Sequence, residues 1–276
     1  MKTKGCNHFV LSALALCTTF FCLTEGVHKS DAKIIDSVIT DVKHPEFGKG
    51  GSACQKLAAI SPARGNGQRV FKHWVNRCGE RAEMATKRTK IGSTYWYGWS
   101  MFVPSTWKDT DAGFDIVNQF PTYPSHNGRF PKSGCGASGS TISRQANKGL
   151  VFNLQRKGDN VDVLCTKHTL AKISEIKGKW TDFVMHVKWT GNKDGFLKLW
   201  LKTGNGKYIQ KINYQGATFW NDENTGPYFK MGLYKGEPNF KGPAPRFLYT
   251  AEYRLGDANS SFKQVMPRLS KQKIVE

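Results

Sequence analysis

The chain has 276 residues, is 39% hydrophobic and 12% aromatic, and carries a formal net charge of +20. This is enough apolar material for one large β domain or two small ones, and it excludes a disordered chain. A charge so far beyond the roughly 2–8 units that keep a small domain soluble points to polyanionic partners: nucleic acid, anionic lipid or acidic polysaccharide.

The chain opens with Lys2 and Lys4, followed by the apolar run "FVLSALALCTTFFCL" from Phe9 to Leu23. The run is short for a membrane span and suits a secretion signal, with cleavage placed near Gly26; a membrane anchor is the second reading. Residues 1–26 are therefore predicted to be a signal peptide and 27–276 the working domain, with no membrane partner. Removing the signal takes away two lysines and one glutamate, so +20 becomes +19. Four cysteines remain, Cys54, Cys78, Cys135 and Cys165. An even number in an exported chain predicts two disulfides. Three pairings exist; Cys54–Cys78 and Cys135–Cys165 are favoured because each closes a loop of moderate length. No CxxC pair supports a zinc site.

Residues 27–70 are mixed and polar, with glycines at Gly48–Gly51. From about Val70 the chain reads as strands and turns. "TYWYGWSMFVP" (Thr94–Pro104), "GFDIVNQFP" (Gly113–Pro121) and "GLVFNLQRKGD" (Gly149–Asp159) are predicted strands. "RFPKSGCGASGS" (Arg129–Ser140) is a predicted loop, and a short helical turn is predicted near "CTKHTLAKISEI". Lys179–Lys207 reads as two strands around the turn "GNKDG", and Pro245–Asp257 closes the set. Many short strands with little helical periodicity predict an all-β antiparallel sandwich of jelly-roll type.

Several strands alternate an oily face with a face of cations and aromatic rings. In "GPYFKMGLYKG" (Gly226–Gly236), Phe229, Met231 and Leu233 fall on one side, and Tyr228, Lys230, Gly232 and Tyr234 on the other. In "GFLKLWLK", Lys198 and Trp200 share a face; in "GERAEM", Arg81 and Glu83 do. Flat rings stack on sugars, and cations pair with carboxylates or sulfates. Lys230, Tyr228, Lys198 and Trp200 are thus the candidate substrate-binding residues.

Hydrolysis is not supported: the Glu-x-Asp-x-x-Glu triplet of β-sandwich glycosidases is missing, as are GxSxG and HExxH. An acidic sugar permits another reaction. β-Elimination removes the C5 proton of a uronate and expels the oxygen on C4. The enzyme must neutralise the carboxylate and supply a base and an acid. Where H5 and O4 lie on one side of the ring, as in glucuronate and mannuronate, one tyrosine can do both. Neighbouring cations are expected to lower that tyrosine's pKa.

"YFKMGLY" (Tyr228–Tyr234), "RAE" (Arg81–Glu83) and "NQF" (Asn118–Phe120) resemble three strands of the jelly-roll polysaccharide lyases. These include alginate lyases of polysaccharide lyase family 7, the heparin lyase I type and the glucuronan lyases of family 20. "YWYGWSMFVP", "GKWTDFVMHVKWTGNKDGFLKLW" and "YRLGD" are most similar to the glucuronan-lyase and heparin-lyase-I-like branch, and the order matches over about residues 70–257. The resemblance implies a concanavalin A-like sandwich with a concave substrate groove. It implies Tyr234 as base and acid, and Gln119 and Arg81 as neutralisers of the carboxylate. Lys230 would lie beside Tyr234 and bind an acid group, and Gly232 would leave room for the sugar chain. The family's Gln-x-His histidine falls on Pro121 here, which leaves His126, and behind it His73 and His186, as candidates to join the tyrosine. No cofactor is needed for catalysis. The aspartate with which several relatives hold a structural calcium falls on Ala251, with Glu252 beside it. The expected protein is a secreted, monomeric lyase acting on acidic polysaccharide, with glucuronan the first substrate, then alginate and glycosaminoglycan-like chains. A non-catalytic lectin-like sandwich is the alternative. Nucleic acid is not an expected partner, since no nucleic-acid motif accompanies the charge.

Overall fold

The computed structural model describes residues 31–39, 41–60, 69–107, 113–121, 139–157, 163–221, 225–235 and 245–268. The predicted signal peptide, His126, Cys135 and most of the Arg129–Ser140 loop lie outside the described residues. Residues from Asp31 onward form one compact unit. Its strands are β1 (Ile34–Val38), β2 (Pro45–Phe47), β3 (Gln55–Ile60), β4 (Val70–Val75), β5 (Arg81–Lys90), β6 (Thr94–Val103), β7 (Phe114–Pro121) and β8 (Gly139–Gln145). There follow β9 (Gly149–Lys157), β10 (Val163–Ala171), β11 (Lys179–Lys188), β12 (Phe196–Thr203), β13 (Ile209–Gln215), β14 (Thr225–Lys235) and β15 (Arg246–Gly256). Three single-turn helices intervene: α1 (Gly51–Cys54), α2 (Ile173–Ile176) and α3 (Phe262–Val265).

The strands build two antiparallel sheets, a jelly-roll sandwich. One runs β13-β12-β11-β6-β15-β4-β3, with β1 also paired to β15; the other runs β10-β9-β8-β7-β14-β5-β2. The strands read from the sequence at 94–104, 113–121, 149–159, 179–207, 226–236 and 245–257 are all present. One stretch holds more structure than the sequence reading gave it. The polar stretch before Val70 contributes three strands. The short helical turn read near "CTKHTLAKISEI" is present as the four-residue α2, and the first part of that segment is strand β10.

The core between the sheets is aromatic, and β14 is at its centre. Phe229, Met231 and Leu233 are fully buried. The Phe229 ring lies 4.9 Å from Trp99, 5.0 Å from Phe120 and 5.2 Å from Tyr253. Burying such side chains stabilises by about 1.5–3 kcal/mol each. A one-residue slip of β14 would turn all three to the outside, so this packing fixes which residues it presents outward. The polar parts of the core rings are satisfied: Trp99 Nε1 donates to Asn118 Oδ1 at 3.1 Å, and Trp189 Nε1 to the Tyr97 hydroxyl at 3.0 Å. A buried ion cluster ties the two sheets together. Asp115 on β7 accepts from Arg144 Nε at 2.8 Å and from Arg246 on β15.

Cys54 and Cys78 are disulfide-bonded, as favoured from the sequence. They hold α1 and the β3 start against the turn that leads into β5. Cys165 is also disulfide-bonded, and its partner lies outside the described residues.

Candidate active site

The outward half of β14 lies on the outer face of the seven-stranded sheet, flanked by β5 and β7. Pairing sets Tyr234 opposite Arg81 and Ile116, Gly232 opposite Glu83, and Lys230 opposite Ala85 and Gln119. The three residues assigned to chemistry from the sequence, Tyr234, Arg81 and Gln119, therefore lie on three adjacent strands, Arg81 directly opposite Tyr234 and Gln119 further along, opposite Lys230. The Arg81 guanidinium carbon is 5.5 Å from the centroid of the Tyr234 ring.

Between Met231 and Tyr234 the register against β7 shifts, so β14 carries a bulge. Gly232 sits in it with φ +144°, a conformation that L side chains rarely adopt. A Cβ there would lie 2.4 Å from the Ala82 carbonyl oxygen and 2.7 Å from both Glu83 Cα and His73 Nδ1. This corrects the role read from the sequence: the missing side chain makes room for the β5 backbone and for His73, not for a sugar. The bulge re-aims Tyr234 relative to Lys230.

Glu83 and Gln119 meet across β14. Gln119 Nε2 donates to Glu83 Oε1 at 2.6 Å, and both side chains are buried. Burial pushes the Glu83 carboxyl up, and the nearby Lys230 charge, the Gln119 hydrogen bond and Arg81 offset only part of this. Lys230 is itself 6% exposed and paired with Glu46 on β2 at 2.5 Å. Burial acts to lower its pKa, but Glu83 and Glu46 outweigh it, and the ammonium is held protonated. The lysine expected to greet the substrate thus spends its charge on two protein carboxylates. Tyr228 is half-buried, with Arg88 4.7 Å and Lys230 5.3 Å from its ring centroid.

Tyr234 is also half-buried, and its pKa is raised rather than lowered. Burial is the largest cause, followed by the charge of Glu80, which also hydrogen-bonds the phenol; Arg81 pulls the other way. The sequence pattern points to the cation on the neighbouring strand but not to the carboxylate that reaches the same oxygen. Glu80, Glu83, Glu46 and Arg88 were not singled out as site residues from the sequence. Only Glu83 had a usable signal, the i, i+2 spacing from Arg81.

Other candidates lie elsewhere. Lys198 and Trp200 are on β12, on the outer face of the eight-stranded sheet, with the whole core between them and Tyr234. They do not line the same surface, which corrects the sequence reading. His186 shares that remote face, stacked on Trp96 at 3.8 Å, and burial pushes it down to about 4. His73 is enclosed between the sheets. Its Nδ1 faces the Ala82 carbonyl at 2.9 Å and its Nε2 the Thr250 hydroxyl at 2.7 Å. A carbonyl only accepts, so the proton sits on Nδ1; burial pushes this ring too down to about 4. Among the described residues no three His, Cys, Asp or Glu side chains stand together as metal ligands. Glu252, the neighbour of the position considered for calcium, has its carboxylate taken by the Arg268 backbone N–H at 2.6 Å and by Arg254.

This constellation sits inside a recognisable family. The sequence matches the polysaccharide lyase family over residues 41–254. The chain belongs to that family. It is a polysaccharide lyase, which sets aside the non-catalytic sandwich. Its fold is shared with endo-β-1,4-glucuronan lyase from the fungus Trichoderma reesei, at TM-score 0.66 and 17% identity, covering 84% of this lyase and 98% of that chain. The marine PL-14 alginate lyase from Aplysia kurodai superposes at TM-score 0.52 and 8% identity, covering 81% and 99%. An alginate lyase from Chlorella virus does so at 0.50 and 11%, covering 82% and 100%. No curated protein matches the sequence.

Proposed function

We propose that this lyase cleaves 1,4-linked polyuronate by β-elimination at Tyr234, with glucuronan ahead of alginate and glycosaminoglycan-like chains, and that it does so outside the cell. The observation that carries the reading is Tyr234 directly opposite Arg81, with Gln119 on the other neighbouring strand joined to Glu83. Among the described residues Arg81 Nε is a buried donor with no hydrogen-bond partner, which an incoming carboxylate would satisfy. Gln119 Nε2 donates one N–H to Glu83, and its second N–H is the donor it would offer.

In this scheme Arg81 and Gln119 take up the charge that builds on the uronate carboxyl as the C5–H bond breaks. Tyr234, as the phenolate, accepts that proton and becomes the phenol. The electron pair forms the C4=C5 double bond, the C4–O bond breaks, and the same phenol returns a proton to the departing oxygen. Among the described residues no histidine stands beside Tyr234 to act from the opposite side. That favours the syn route, and with it glucuronate or mannuronate over guluronate. The solved glucuronan lyase with the same fold supports glucuronan as first choice. Action outside the cell is supported by the Cys54–Cys78 disulfide and by the bonded state of Cys165.

The test is a panel of polyuronates followed by the ultraviolet absorbance of the new C4=C5 bond. Glucuronan is expected to give the fastest rise. Tyr234→Phe should remove at least 100-fold of kcat, the scale of a lost general acid–base, with unchanged circular dichroism. Full activity in that variant would sink the assignment.

A further inference from the structure

Glu80 and Arg81 are neighbours in the chain, yet both reach Tyr234. Glu80 hydrogen-bonds the phenol, and the Arg81 guanidinium carbon is 5.5 Å from the ring centroid. Adjacent residues of a straight strand point to opposite faces. The chain must therefore bend at Glu80, just before β5 begins at Arg81.

A side chain from the other sheet holds this bend. Gln55 opens β3 of the eight-stranded sheet and is 1% exposed. Its Oε1 accepts from the backbone N–H of Glu80 at 3.2 Å and from that of Arg81 at 3.1 Å. Successive N–H groups of a straight strand point to opposite edges, so two that share one oxygen mark a bend. The other half of the amide is used as well: Nε2 donates to the Gly48 carbonyl at 2.5 Å. Gly48 directly follows β2, whose last pair with β5 is Phe47 with Ala82. The Gln55 amide thus takes over the edge of β5 where β2 stops.

Three further contacts brace the arrangement. The Cys54–Cys78 disulfide fixes the residue before Gln55 to the turn that carries Glu80. The Lys49 backbone N–H donates to Glu80 Oε2 at 3.1 Å. The Lys235 backbone N–H donates to the Glu80 carbonyl at 2.9 Å, and Lys235 directly follows Tyr234.

We propose that Gln55 is a positioning residue for the elimination: its amide, braced on Gly48, holds the bend that turns Glu80 and Arg81 together onto Tyr234. The inference rests on the reading of Tyr234 given above. Gln55 is enclosed and acts through the backbone of the two residues that face the phenol. Without its acceptor the chain straightens and carries Glu80 to the other face, while pairing with Tyr234 keeps Arg81 in place. The charges that act on the phenol are Glu80, Arg81 and Glu83. Glu80 disfavours the phenolate, so releasing Glu80 lets the phenolate form at lower pH.

The test is Gln55→Met, which is near in size and lacks both hydrogen-bonding atoms. Two titrations are read. One is the near-ultraviolet absorbance of the Tyr234 phenolate, taken as the difference from Tyr234→Phe. The other is the rising limb of the rate on polyglucuronate. Both should move to lower pH, in the direction of Glu80→Gln. The double variant Gln55→Met/Glu80→Gln should move no further than Glu80→Gln alone. Gln55→Glu keeps the acceptor and should not move either curve to lower pH. Ile212→Ala truncates the core on β13, at the opposite edge of that sheet from β3, and should leave both curves in place. A downward shift in either of these two variants overturns the proposal. If Gln55→Met does not fold, Gly48→Ala supplies the displacement, because its Cβ would stand 2.4 Å from Glu80 Oε2 and 2.5 Å from Glu80 Cβ. A folded variant of either kind whose phenolate titrates at the wild-type pH overturns the positioning role and leaves the lyase reading standing. A phenolate that moves without the rate profile following keeps the positioning role and removes Tyr234 as the base.

Discussion

Replacing Gly232 by alanine should damage stability and catalysis together, and the size of both effects follows from the geometry. At φ +144° an L residue is strained, at a cost of about 1–3 kcal/mol. The new Cβ would stand 2.4 Å from the Ala82 carbonyl oxygen, where ordinary contact begins at 3.4 Å, so β14 and β5 must part by roughly 1 Å. Two of the three atoms it meets are backbone of the paired strand, and the third is the enclosed His73 ring. Overpacking of this kind costs about 1–3 kcal/mol. The sum, about 2–6 kcal/mol, is a large part of the 5–15 kcal/mol that holds a typical domain folded. Tyr234 follows two residues later, and a displacement of about 1 Å at a reacting group costs on the order of 100-fold in rate. Guanidinium unfolding and kcat on polyglucuronate read the two effects. Gly92→Ala is the control: its φ is +78° but no atom lies within 4 Å of the new Cβ, so only the backbone cost, about 1–2 kcal/mol, should appear. A Gly232→Ala protein with the stability of Gly92→Ala and a kcat within twofold of wild type would refute the account of the bulge.

Two further outcomes are expected. Glu80 raises the pKa of Tyr234, so Glu80→Gln should ease formation of the phenolate and move the rising limb of the pH–rate profile to lower pH; a limb that stays put or moves up would show that Glu80 does not govern the phenol. Asp115→Asn leaves the buried Arg144 and Arg246 without their shared carboxylate and should cost about 3–5 kcal/mol by chemical denaturation, whereas a loss under 1 kcal/mol would mean the cluster does not tie the sheets.

Much of this was legible in the residues because alternation is a local property. Period 2 along Tyr228–Tyr234 separates Phe229, Met231 and Leu233 from Tyr228, Lys230 and Tyr234, and the aromatic core then holds that division. The moderate loop between Cys54 and Cys78 was legible for the same reason. What alternation cannot say is which sheet's outer face a polar stripe occupies. Lys198 and Trp200 have the same pattern as Lys230 and Tyr228, yet sit across the core from them, because sheet membership is set by pairings distant in sequence. The charge state of Tyr234 was also non-local. Arg81 is visible from its strand, but the phenol's pKa is decided by burial and by Glu80, which the Cys54–Cys78 turn brings alongside. Lys230 reads as a free cation until β2 folds over it and Glu46 takes its charge. The chain by itself determined the strands, their inward faces and the set of residues that could perform β-elimination. The tertiary structure decided which of them share a surface and which are already spent on one another, because burial and ion pairing depend on neighbours that only the closed sandwich supplies.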